Sequence, residues 1–217
     1  MLLFVTDAAA VARIPAADNV LESRQTELQA EGRRLLDELG VERVLAEVGT
    51  VRYAGSFVSG LMSWPDLDVM VLSHPGFTPT DVLALQPRII AKPGVIGFDY
   101  RDERGARSPT GEARDERYHL PTFVQRGTRL WRLDLTIWLR DDHTNVTMWH
   151  EQLRDTITAE QRSAVLRIKD VWHRRPEYPD LVSGMEIYTA VLEHGVRTPQ
   201  QFEAWWSTQL PGSAPGP

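Results

Sequence analysis

The chain has 217 residues, no cysteine and a formal net charge of −6. This length fits one large domain or two small ones, and it is enough to bury a substantial core. The absence of cysteine excludes disulfides and thiolate metal sites and predicts a reducing, cytoplasmic environment. The acidic balance makes a nucleic-acid partner unexpected, and the sequence pattern predicts neither a signal peptide nor a membrane span.

The first elements in chain order are a helix and two strands. Asn19 and Glu22 have the spacing of a capping box, and the leucines that follow recur at helical period until Gly40, which supplies a stop. Residues 44–54 and 66–72 are predicted strands, and the segment between them, 56–63, has room for one or two helical turns.

A second helix is predicted to begin at Pro79, and Pro87 should kink or shorten it. Strands are predicted over 95–101, 119–126 and 129–140, and the last two form a hairpin across Gly127-Thr128. The charged segment 101–117 contains too little apolar surface to fold alone, and we interpret it as a solvated hairpin tip in preference to a substrate lid.

After Arg140 the apolar residues recur at helical period throughout. Capping boxes are predicted at Thr158 with Gln161 and at Ser183 with Glu186, and a further helix starts at Thr198-Pro199. The sequence therefore predicts an α+β protein. Residues 1–140 are predicted to form a mixed-sheet lobe with flanking helices, 141–210 a helical bundle and 211–217 a flexible tail.

Three aspartates in apolar strands are the candidate site. Asp66 and Asp68 alternate with apolar residues, so both point to one face of their strand. Asp134 lies inside a core-like strand, where a carboxylate needs an ion-pair partner such as Arg132 or a bound metal. If the two strands are neighbours, three hard oxygen donors converge on one patch that suits Mg²⁺.

Gly55-Ser56, the two aspartates of Asp66-Leu67-Asp68 and the later Asp134 together resemble the signature of the DNA polymerase beta-like nucleotidyltransferase superfamily. The resemblance covers about residues 48–140. It implies that Gly55 and Ser56 hold the terminal phosphates of a nucleoside triphosphate such as ATP, and that Asp66, Asp68 and Asp134 ligate two Mg²⁺ ions. It also implies that Asp134 helps to deprotonate the acceptor hydroxyl.

Two further residues, Lys169 and Asp99, are candidates of lower rank. Lys169, on the helix after Thr158, is the residue that we expect to reach the triphosphate, because the helical lobe of this superfamily often supplies a basic group. A solvated helix face is the alternative. Asp99 is a reserve third carboxylate. His119 is interpreted, like the other scattered histidines, as a surface or structural residue.

The function expected from the resemblance is magnesium-dependent transfer of a nucleoside monophosphate to a hydroxyl, with release of pyrophosphate. The acidic balance favours a small-molecule or protein acceptor. The alternative is a non-catalytic nucleotide-binding protein, or an antitoxin-like partner protein, of the same fold.

Overall fold

The computed structural model describes residues 16–140 and 143–210, with His143 described by its backbone. The tail predicted at 211–217 lies outside these residues. Contacts between Cα atoms divide the chain into two compact units. We call residues 27–156 the sheet unit, and residues 1–26 with 157–217 the helical unit. The domain boundary that the sequence suggested, at residue 140, stays a prediction.

The sheet unit is built on one mixed sheet. Its strands are β1 (Gly49–Ala54), β2 (Asp66–Ser73), β3 (Val95–Phe98), β4 (Arg101–Glu103), β5 (Arg117–Arg126) and β6 (Arg129–Trp138). The strand order is β1-β2-β6-β5-β3, and β4 also pairs with β5. Strands β2 and β6 are parallel, whereas the other pairs are antiparallel.

Eight α-helices accompany the sheet in the described residues. They are α1 (Asp18–Leu39), α2 (Val41–Leu45), α3 (Gly55–Ser59), α4 (Pro79–Ile90), α5 (His143–Thr156), α6 (Ala159–Trp172), α7 (Gly184–Leu192) and α8 (Pro199–Gln209). In this part of the chain, no helix combines the length and the apolar character needed to cross a membrane. The predicted α+β class, with helices following a mixed sheet, is confirmed.

The core of the sheet unit covers one face of the sheet. Because side chains alternate along a strand, the odd-numbered positions 67–71 of β2 and 131–137 of β6 are buried together with leucine, valine and isoleucine side chains of α1, α2 and α4. The even-numbered positions carry the aspartates. A slip of one residue in register would exchange these two faces, so core burial fixes where the carboxylates point.

The predicted β5–β6 hairpin is confirmed, with Arg126 pairing with Arg129 across a two-residue loop. Gly127 in that loop has φ 56°, a left-handed conformation that favours glycine. The charged segment before β5 contains β4 and two short 3₁₀ helices, 105–107 and 113–115. Ion pairs connect residues within this segment, including those of Arg104 and Arg107 with Asp102.

Two predicted strands differ from the observed ones in their boundaries. The strand predicted over 44–54 begins at Gly49, since Val41, Val44, Leu45 and Val48 have the i, i+3, i+4, i+7 spacing of a helix and form α2 with its following turn. The strand predicted over 95–101 is divided into β3 and β4.

Two expectations for the first helices also needed correction. Helix α1 begins at Asp18, so Asn19 lies inside it and does not cap it. Helix α4 continues to Ile90, so Pro87 does not shorten it, and the kink predicted as the other possibility stays a prediction. Pro87 is exposed, and it lacks the N–H that would have bonded the carbonyl four residues earlier.

In the helical unit, the predicted caps are confirmed. The Gln161 backbone N–H donates to Thr158 Oγ1 at 3.2 Å, and the Gln161 side chain accepts from the Thr158 N–H at 3.0 Å. Ser183 and Glu186 make the same reciprocal pair. The Phe202 ring packs edge-on against Trp172 with ring centroids 4.9 Å apart, which joins α8 to α6.

Candidate active site

Asp68 and Asp134 lie directly opposite each other on two neighbouring parallel strands. The register of β2 with β6 pairs Asp68 with Asp134 and Asp66 with Arg132. Residues two apart on a strand share a face, so all four side chains extend from the same face of the sheet. The condition set by the sequence, that the two strands be neighbours, is therefore met.

The Gly55-Ser56 turn contacts this patch through its backbone. Ala54 at the end of β1 pairs with Asp68, and Gly55 follows with φ 63° at the start of α3. A Cβ atom at Gly55 would lie 1.6 Å from Asp68 Oδ2. The position therefore requires glycine for two reasons, its left-handed backbone and the closeness of the carboxylate.

Asp134 has two basic neighbours. Arg132 Nε donates to Asp134 Oδ1 at 2.8 Å, and His119 Nε2 lies 3.1 Å from the same oxygen. Burial raises the pKa of the Asp134 carboxyl, but the His119 hydrogen bond and the Arg132 charge outweigh it and lower this pKa. Asp134 is therefore ionised at neutral pH. The sequence left two roles open for Asp134, an ion pair with Arg132 and metal binding, and the ion pair is present.

His119 is the site residue that sequence reasoning missed. Its Nδ1 lies 3.5 Å from Glu103 Oε1, so the ring bridges Glu103 and Asp134. Burial lowers the pKa of His119, but the two carboxylates outweigh it and raise this pKa. The position of His119 could have been derived from the predicted hairpin. If Arg126 pairs with Arg129 across the two-residue loop, His119 pairs with Thr136 and lies diagonal to Asp134.

Glu103 and Arg117 extend the same network along the sheet. Arg117 Nε donates to Glu103 Oε2 at 2.7 Å. Burial raises the pKa of Glu103, but its bonds from His119 and Arg117 outweigh this and bring it to about 2. The polar face thus holds basic and acidic side chains in alternation, from Arg117 through Glu103, His119 and Asp134 to Arg132.

The donor set fits Mg²⁺. Asp66, Asp68 and Asp134 offer the hard oxygens that this ion prefers, and the missing side chain of Gly55 makes room for the Asp68 carboxylate. Among the described residues, no three His, Asp or Glu side chains are close enough together to hold an ion by themselves. Mg²⁺ is usually held by one or two carboxylates with waters and substrate phosphates, so an incomplete protein cage is compatible with it.

Lys169 belongs to the helical unit and does not lie on a solvated helix face, the alternative that the sequence left open. It is 1% exposed. Its Nζ lies 3.5 Å from the Tyr188 hydroxyl and 5.6 Å from the centre of that ring. Arg162, on the same helix, pairs with Glu22. Asp99, the reserve carboxylate, is exposed in the connection between β3 and β4. A role for Lys169 in nucleotide binding stays a prediction.

No protein-family model matches the sequence, and no curated protein matches it. Solved structures do match the fold. The α+β fold with its mixed sheet agrees with the fold that the sequence resemblance implied.

The GLD-2/RNP-8 complex matches with a TM-score of 0.50 and 13% identity, over 79% of this chain and 55% of that chain. The non-canonical poly(A) polymerase complex GLD-2–GLD-3 matches with a TM-score of 0.47 and 12% identity, over 80% and 57%. The Cid1 poly(U) polymerase with Mg and 3′-dATP bound matches with a TM-score of 0.43 and 20% identity, over 70% and 45%. The chain thus spans about half the length of these solved chains.

Proposed function

We propose that the chain is a magnesium-dependent nucleotidyltransferase, which moves a nucleoside monophosphate from a nucleoside triphosphate to a hydroxyl and releases pyrophosphate. The observation that carries the proposal is the opposition of Asp68 and Asp134 beside Gly55. Asp66, Asp68 and Asp134 would hold the metal. When bound there, two Mg²⁺ ions supply positive charge that offsets the charge of the phosphates during transfer.

The protein groups have separate tasks in this proposal. The Ser56 hydroxyl and the Gly55 backbone hold the terminal phosphates, and Lys169 adds a positive charge to them. Asp134 accepts a hydrogen bond from the acceptor hydroxyl and helps to deprotonate it, while His119 and Arg132 fix the position of its Oδ1. Positioning and charge complementarity provide most of the rate enhancement in phosphoryl-group transfer.

The acceptor is the second part of the proposal. The net charge of −6 favours a small molecule or a protein hydroxyl. A terminal RNA hydroxyl belongs in the test as well, because poly(A) and poly(U) polymerases are among the solved structures that share the fold. An acceptor panel that contains all three classes separates them.

The test follows pyrophosphate release with each nucleoside triphosphate, Mg²⁺ and the acceptor panel. Asp68→Asn and Asp134→Ala should each lower the rate at least about 100-fold, the usual cost of removing charge stabilisation from a transfer reaction. Asp99→Asn, at an exposed aspartate outside the strands, is the matched control and should keep its activity. Unchanged turnover in both site variants would refute the assignment.

One observation favours a second candidate function, nucleotide binding without turnover, as in an antitoxin-like partner protein. Asp134 Oδ1 already has His119 and Arg132 as neighbours, so its charge is balanced without a metal. Triphosphate binding with no pyrophosphate release across the panel would support this function.

A further inference from the structure

A cavity of about 420 Å³ opens in the sheet unit beside the edge strand β1. It lies among β1, α1, α3 and α5. The Thr147 hydroxyl of α5 donates to the Tyr53 carbonyl of β1 at 3.0 Å, which fixes one wall. Its size is in the range of protein sites for small molecules. No task in the proposed reaction uses its lining residues.

The charged residues of the cavity wall are mainly cationic. Arg33, Arg52 and Arg154 line it with a single carboxylate, Glu151. Arg154 pairs with the neighbouring Asp155. Arg33 and Arg52 form no ion pair within residues 16–140 and 143–210. Two guanidinium groups without an acidic partner on one concave surface attract and orient anions.

Two aromatic side chains, Tyr53 and Phe57, also line the cavity. Tyr53 and Phe57 lie edge to face with ring centroids 5.8 Å apart, and the Arg33 guanidinium lies 5.7 Å from the centre of the Phe57 ring. This cation–π contact holds Arg33 at the cavity. The phenol of Tyr53 is fixed by donation to Glu42 Oε2 at 2.6 Å.

We propose that this cavity is a second binding site, distinct from the aspartate site, for a phosphate-bearing small molecule of nucleotide size. Arg33 and Arg52 bind the phosphates, since the planar guanidinium fork matches phosphate oxygens. The rings provide an apolar surface for a base, and Glu151 accepts a hydrogen bond from a ligand hydroxyl or amine. Tyr53 and Phe57 lie on either side of Gly55-Ser56 in the sequence. A ligand bound in the cavity would therefore contact residues next to the turn that holds phosphate in the proposed active site.

The test measures ADP binding by calorimetry at low ionic strength in EDTA, so that metal-dependent binding makes no contribution. The Arg33→Gln/Arg52→Gln variant should bind ADP at least tenfold more weakly than the wild type. Arg34→Gln and Arg43→Gln, two exposed arginines outside the cavity lining, are the matched controls and should bind as the wild type does. Adenosine, which lacks phosphate, should not bind.

Three results would overturn the proposal: no metal-independent ADP binding by the wild type, unchanged affinity in the double variant, or an equal loss in the two controls. Thermal unfolding checks the fold of each variant, and the single substitutions carry the test if the double variant does not fold. The readout does not involve turnover, so failure of the proposed transfer reaction leaves this test intact.

Discussion

Asp68 and Asp134 face each other across the β2–β6 pair, at one level of the sheet and on one face. Two carboxylates so placed repel each other unless a cation lies between them. Their opposition therefore makes a specific prediction about metal binding, which can be measured separately from catalysis.

We expect Asp68→Asn and Asp134→Asn each to weaken Mn²⁺ binding at least about tenfold in the presence of triphosphate, because each removes a ligand charge. Electron paramagnetic resonance titration measures the free Mn²⁺. The loss of Mn²⁺-binding free energy in the double variant should be smaller than the sum of the two single losses, since both residues bind the same ion. Strict additivity would contradict a shared site.

Gly55→Ala should destabilise the fold more than an equivalent change elsewhere. A left-handed non-glycine residue costs about 1–2 kcal/mol, and here the new Cβ also meets Asp68 Oδ2. Gly76 has φ 84°, and a Cβ added there would have no atom within 4 Å, so Gly76→Ala controls for backbone strain. Urea unfolding should show a further loss of about 1–3 kcal/mol in Gly55→Ala. Equal losses would show that the carboxylate is not in the way.

The acid stability of the sheet unit should depend on Glu103. Its pKa is about 2 in the folded protein, below the ordinary 4.5. The folded state is therefore favoured above pH 4.5, and this contribution is lost as pH falls toward 2. We expect Glu103→Gln to lower the free energy of unfolding by up to about 3 kcal/mol at pH 7, with the difference from wild type shrinking below pH 4.5.

Glu112→Gln is the control for that experiment. Glu112 pairs with Arg114 at 2.7 Å, but both side chains are exposed, and such pairs contribute about 1 kcal/mol or less. Urea unfolding at several pH values measures both variants. A loss in Glu103→Gln no larger than in Glu112→Gln would show that the network from Arg117 to Asp134 adds little stability.

Lys169→Met tests the predicted contribution of the helical unit to nucleotide binding. Lys169 is buried against Tyr188, and methionine has a similar length without the charge. We expect triphosphate affinity to fall about tenfold or more, as measured with a fluorescent nucleotide. Lys92→Met, at a partly exposed lysine of the sheet unit, should bind as the wild type does. Unchanged affinity in Lys169→Met would assign this lysine a purely structural role.

Several features of the fold could be predicted because they depend on residues that are close together in the sequence. The Gly127-Thr128 loop predicted the hairpin. The alternation of acidic and apolar residues around Asp66 and Asp68 predicted which side chains share a face. The caps at Thr158 and Ser183 likewise depend on residues three apart.

Features that depend on pairing between distant segments were not predicted. The bridge of His119 between Glu103 and Asp134 requires the β4–β5 and β5–β6 registers together. The burial of Lys169 depends on packing against Tyr188 of another helix. The cavity beside β1 is formed by residues from four elements, none of which signals it alone.

The parallel pairing of β2 with β6 also bears on the order of folding. The β5–β6 hairpin closes a two-residue loop, whereas β2 and β6 are joined by a long stretch of chain that includes α4 and three other strands. Closing a longer loop costs more chain entropy and is slower. We therefore expect the hairpin to form early and the β2–β6 contact late. The carboxylate pair would then be among the last features to assemble, so a partly folded chain would carry Asp134 in its hairpin before Asp68 joins it.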